Sequence, residues 1–83
     1  MKHFMYTVKD SVAGTAMSPF LAVKDAVAVR YFSGAVADPN SQINKTPGDF
    51  SLFRIATFDD ETMVVEVLSP ELVVSGSLLK GQS

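Results

Sequence analysis

The chain predicts an α+β fold: a small antiparallel sheet in the order β-α-β-β, covered by one helix, with the apolar C-terminal tail left open as an extra strand. Three observations carry this reading. Phe4, Tyr6 and Val8 alternate with Met5, Thr7 and Lys9, the two-residue period of a strand with one face inward. The run AVAVRYFSGAVA following Asp25 is helix-compatible and stops at Asp38-Pro39. Two β-rich runs flank Asp59-Asp60-Glu61-Thr62, as a hairpin does.

In chain order, the first strand is expected over 2–9. Asp10, Ser11, Gly14 and Thr15 break its alternation, and a long loop follows, held extended by Pro19 before Phe20 and Leu21 return to the core. The helix is expected over 25–37 with Asp25 as its N-cap. Arg30, Ser33, Gly34 and Ala37 share one stripe of it, leaving an apolar arc wide enough to meet the sheet on one side and a loop or second subunit on the other. Asp38-Pro39-Asn40 ends the helix, and 41–48 reads as an irregular polar connection. The hairpin is expected over 50–68, with Leu52, Arg54, Ala56 and Phe58 alternating against Phe53, Ile55 and Thr57. Pro70 ends it. Residues 71–80 remain either a fourth strand or a clasp on a neighbour.

At 83 residues the chain is one domain, 1–83, of a size that hides only about 60 to 65 % of its unfolded surface. It lacks cysteine, and 47 % of its residues are hydrophobic against 19 % charged. With no disulfide available, either a tight core or a partner subunit must secure so small a domain, and the apolar composition favours the partner, a homo-oligomer. A net charge of −2 and a pI near 5.1 argue against generalised attraction to nucleic acid, which neutralises phosphates with Lys and Arg. No apolar run approaches the roughly 20 residues of a membrane span, so no membrane partner is expected and the cytoplasm is the expected location.

No motif points to catalysis. The single histidine, His3, has no second histidine or carboxylate pair near it in sequence, so no metal role is assigned. Asp59, Asp60 and Glu61 are adjacent rather than alternating, which suits a solvated turn better than a calcium loop. The five glycines, at 14, 34, 48, 76 and 81, are scattered and build no phosphate cradle. A non-enzyme without cofactor is expected.

The residues that fit single-stranded nucleic acid are basic groups interleaved with aromatics: Lys24, Arg30 and Tyr31 on the helix, Lys45 in the connection, Phe50, Phe53 and Arg54 on the second strand. Bases stacking on such rings contribute about 1 to 3 kcal/mol each. Tyr31, Phe32, Phe53 and Phe58 are expected to pack, and Phe50 to be the exposed ring. Asp25, Asp38 and Asp49 offer Arg30 and Arg54 ion-pair partners instead. Lys24, Arg30, Lys45, Phe50 and Arg54 thus form the candidate nucleic-acid set.

Val8 to Gly14 (VKDSVAG), Pro19-Phe20, the helix positions Ala28, Arg30, Phe32 and Val36, Asp38-Pro39, and then Pro47, Asp49, Phe50, Leu52 and Thr57-Phe58-Asp59 together resemble the small nonstructural protein of gokushovirus-type microviruses, single-stranded DNA phages. That resemblance spans most of 6–60. It implies a nonstructural protein in the cytoplasm of the infected bacterium, with a part in single-stranded DNA synthesis, genome handling or packaging, and it transfers no catalytic residues. The leading expectation is a nonenzymatic single-stranded DNA-binding protein or accessory to replication or packaging; the alternatives are docking on a host or phage replication or assembly protein without nucleic acid contact, and a scaffold-like assembly factor.

Overall fold

The computed structural model describes residues 1–80. The first strand, β1 (Lys2–Asp10), forms where expected and runs one residue longer. Its turn is built by Asp10, whose Oδ1 accepts from the backbone N–H groups of Val12 and Ala13 at 3.0 and 3.2 Å. Gly14 closes it at φ +76°, a left-handed conformation that glycine adopts without strain. The segment expected to be a loop instead folds back as two short strands, β2 (Thr15–Ala16) and β3 (Phe20–Ala22), both antiparallel to β1. Two- and three-residue strands leave no readable period.

The helix α1 (Asp25–Ala37) has the expected bounds. Its N-cap is Lys24, with no side-chain cap, rather than Asp25. Asp25 is the first helical residue, and its carboxylate is turned onto the sheet to hold Tyr6 and Arg54. Ala28, Phe32 and Val36, four residues apart, are the buried stripe. The connection is not irregular. Ser41 caps a short helix, α2 (Gln42–Lys45), accepting from the Ile43 N–H at 3.1 Å. Ile43 is buried in the core, and a 3-10 turn, Pro47–Asp49, leads into the next strand.

That strand, β4 (Phe50–Asp59), pairs with β1 along its whole length. β5 (Val65–Ser75) returns alongside it, passing through Pro70, where the sequence reading ends the strand. Proline is tolerated because β5 is a sheet edge, where a missing N–H costs no ladder bond. The tail is therefore the second half of β5, followed by α3 (Gly76–Lys80). Gly76 is fixed by contact: a Cβ there would lie 2.2 Å from the Pro47 carbonyl oxygen. The sheet order is β2-β1-β4-β5, with β3 also on β1, which is the α+β architecture expected.

Ring contacts and register assign the two faces of the sheet. Tyr6, Val8, Phe50 and Leu52 lie in the core cluster under α1. The register of β4 on β1 shifts between Met5 and Tyr6, which face Ala56 and Arg54, so Ile55 is an extra, bulged residue. Such a bulge reverses the parity of everything after it. Leu52 and Arg54 face the helix, whereas Ala56 and Phe58, expected on the same face, point the other way. The shortest dimension, 19 Å, is that of a sheet and one helix of about 10 to 12 Å diameter. One face is covered, and the other is open.

Candidate functional site

Under the start of α1 the sheet brings four polar side chains together. The Tyr6 hydroxyl donates to Asp25 Oδ1 at 2.6 Å, and Arg54 Nη1 reaches both Asp25 oxygens at 3.1 Å. Arg54 Nη2 pairs with Glu71 on β5, and its guanidinium stands 5.2 Å from the Phe4 ring centroid. Burial first, and then the hydrogen bond to Asp25, raise the Tyr6 hydroxyl above the ordinary phenol range. The Glu71 hydrogen bond is the main reason Arg54 is held above its usual value. This cluster ties helix to sheet.

A second polar cluster lies at the β4–β5 turn. The Met1 ammonium is 2.7 Å from Asp60 Oδ1, and His3 Nε2 is 2.9 Å from Asp60 Oδ2. Asp60 is thereby held below the usual carboxylate range, first by the ammonium and then by His3. The carboxylate absent from the sequence neighbourhood of His3 is supplied across the strand ladder, where His3 faces Phe58. Among the described residues, no group of three or more His, Cys, Asp or Glu side chains is placed to hold a metal ion.

The candidate nucleic-acid residues separate. Phe50, expected to be the exposed ring, is 2 % exposed, because it shares the helix-facing side of β4 with Leu52. Arg54 is occupied by Asp25 and Glu71. Lys24, Arg30 and Lys45 are exposed on the helical layer. Lys24 precedes α1 and Lys45 closes α2 beyond its far end, so about 20 Å of helix separates them. Of the rings expected to pack, Phe32 does, while Tyr31 is 62 % exposed. Tyr31 lies beside the buried stripe rather than on it and meets Phe20 edge-on, with centroids 6.0 Å apart.

Among the described residues, two apolar depressions stand out. A groove of about 200 Å³ runs between α1 and the β2–β3 segment, lined by Met17, Phe20, Tyr31, Ala35 and Ile43 among others. Met17 was not singled out by the sequence, since its loop shows no period. The open sheet face carries a shallower depression of about 250 Å³, where Met5, Leu21, Phe58 and Val65 meet.

Over residues 3–79 the chain matches the family described as "Phage ORF5 protein". The chain belongs to that family. It is therefore a small phage protein, as the sequence resemblance implied. No curated protein and no solved structure matches the chain. No helix of this ORF5-family protein is, among the described residues, long and apolar enough to cross a membrane.

Proposed function

We propose that this ORF5-family chain is a nonenzymatic phage protein of the microvirus type. It acts in the cytoplasm of the infected bacterium by docking on a host or phage replication or assembly protein, without contacting nucleic acid. The observation that carries this reading is the groove beside α1, where Met17 and Tyr31 stand exposed at the margin of the buried Val8, Phe32 and Ile43. Aromatic and methionine side chains are the types enriched at recognition surfaces. The partner chemistry that fits is a bulky apolar side chain on an exposed segment of another protein.

Single-stranded DNA binding is the second reading. Lys24, Arg30 and Lys45, exposed together with Tyr31 on the helical layer, favour it, while the burial of Phe50 and the pairing of Arg54 oppose it. A photo-crosslinking residue at position 31, used in infected cells, separates the two. Docking predicts a discrete adduct to one protein, identified by mass spectrometry, re-formed with that protein purified and lost in Met17→Glu. An adduct to DNA, with purified protein binding a labelled single-stranded oligonucleotide in a salt-dependent manner that Arg30→Ala weakens, overturns it.

A further inference from the structure

We propose that the open face of the sheet is the interface of a homodimer, in which two copies stack face to face as a β-sandwich. In a sheet with one solvated face, that face is usually polar. Here Met5, Leu21, Phe53 and Phe58 share it with three exposed side chains of β5: Val67, 86 % exposed, Leu72, 57 %, and Val65, 49 %. The register supports this grouping. Leu21 pairs with Met5, Phe58 with Val65, Ala56 with Val67 and Phe53 with Leu72, and directly opposed residues point to the same side.

The occupant that fits is a second copy. Three strands about 4.8 Å apart and some 30 Å long, with the three-residue β3 beside them, present roughly 500 Å², so two such faces together reach the order of 1,000 Å² expected of a specific interface. Self-contact also requires that no like charges meet at its centre, and the residues of this apolar field are uncharged. Its ends are complementary. Lys9, opposite Ser51, lies on this face at one end of β1, and the Asp59–Glu61 turn lies beyond the other end. A two-fold axis lying between the sheets and crossing the strands sets Lys9 of each copy near the acidic turn of its partner.

Edge-to-edge pairing through β5 is disfavoured. Leu68, Ser69 and Pro70 are inserted between the pairs Val67–Ala56 and Glu71–Arg54, which breaks the edge. The strand carries Glu66 and Glu71 and no basic residue, so self-pairing centred on the insertion opposes acid to acid. Stacking uses none of that edge, and it leaves the groove beside α1 free.

Light scattering and sedimentation equilibrium on the full chain test this. The expected result is a particle of twice the 8.9 kDa chain mass that Val67→Lys and Leu72→Lys each reduce to monomer, with an unchanged circular dichroism spectrum. Both side chains are exposed in the single chain, so the variants retain the fold. Lys9→Glu should weaken the dimer about tenfold, and Lys9→Glu combined with Glu61→Lys should recover most of that loss. A wild-type monomer at hundreds of micromolar, a dimer indifferent to both β5 variants, or no recovery in the charge swap overturns the proposal. A monomer that still forms the position-31 adduct would defeat this inference alone, and a dimer without that adduct would defeat only the docking role.

Discussion

The two faces of one sheet are built from similar side chains and meet different fates. Tyr6, Val8, Phe50 and Leu52 are buried beneath α1, whereas Leu21, Val65, Val67 and Leu72 on the opposite side are not. The difference is made by position rather than by composition. One bulged residue, Ile55, reverses the parity of β4, so the apolar residues after it turn away from the helix. A domain with one long helix, α1, closes only one of the two faces with it.

If the covered face supplies the fold and the open face supplies association, substitutions on the two should separate cleanly. The largest effect is expected from Leu52→Ala, which empties a fully buried site and should cost about 2 to 5 kcal/mol in urea unfolding. Gly76→Ala should follow. Its new methyl meets the Pro47 backbone, which cannot move aside as a side chain does, at a cost of about 1 to 3 kcal/mol and a lowered thermal midpoint. Arg54→Leu removes the bond between α1 and β5 and leaves Asp25 and Glu71 without their cation, so urea unfolding should shift to a lower midpoint, by less than for Gly76→Ala. An Arg54 variant as stable as the wild type would mean that α1 is held by apolar contact alone.

A smaller effect should appear with pH at the β4–β5 turn. The folded carboxyl of Asp60 is lowered, so its contribution to stability is fully present above the ordinary aspartate value of about 3.9. It is lost as pH falls through the lower folded value. Thermal midpoints measured from pH 6 to pH 2 should therefore fall more steeply for the wild type than for Asp60→Asn. The smallest effect on the fold itself is expected from Val67→Lys, within about 0.5 kcal/mol at concentrations where the chain is a monomer.

Where periodicity ran unbroken, the sequence reported the structure closely. β1 and α1 were legible because alternation and helical spacing hold over nine and thirteen residues. β2 and β3 were not, because two or three residues carry no period. Pro70 misled because proline ends a central strand but not an edge one. The bulge at Ile55 has no signature in FSLFRIATFD, and without it the outward turn of Ala56 and Phe58 is invisible. At the site, Arg54 and Asp25 were recognisable as one of several ion-pair choices, while Tyr6 and Glu71 join them only through strand register. Phe50 was misplaced because its strand-mate Leu52, two residues on, carries it onto the face under the helix.

The claim that the second face is an interface is tested most directly by the thermal midpoint as a function of protein concentration, in the wild type and in Val67→Lys. Dimerisation linked to folding predicts that the wild-type midpoint rises with concentration, that the variant's stays level, and that the two converge on dilution. A level wild-type curve, or two curves of equal slope, would contradict the account.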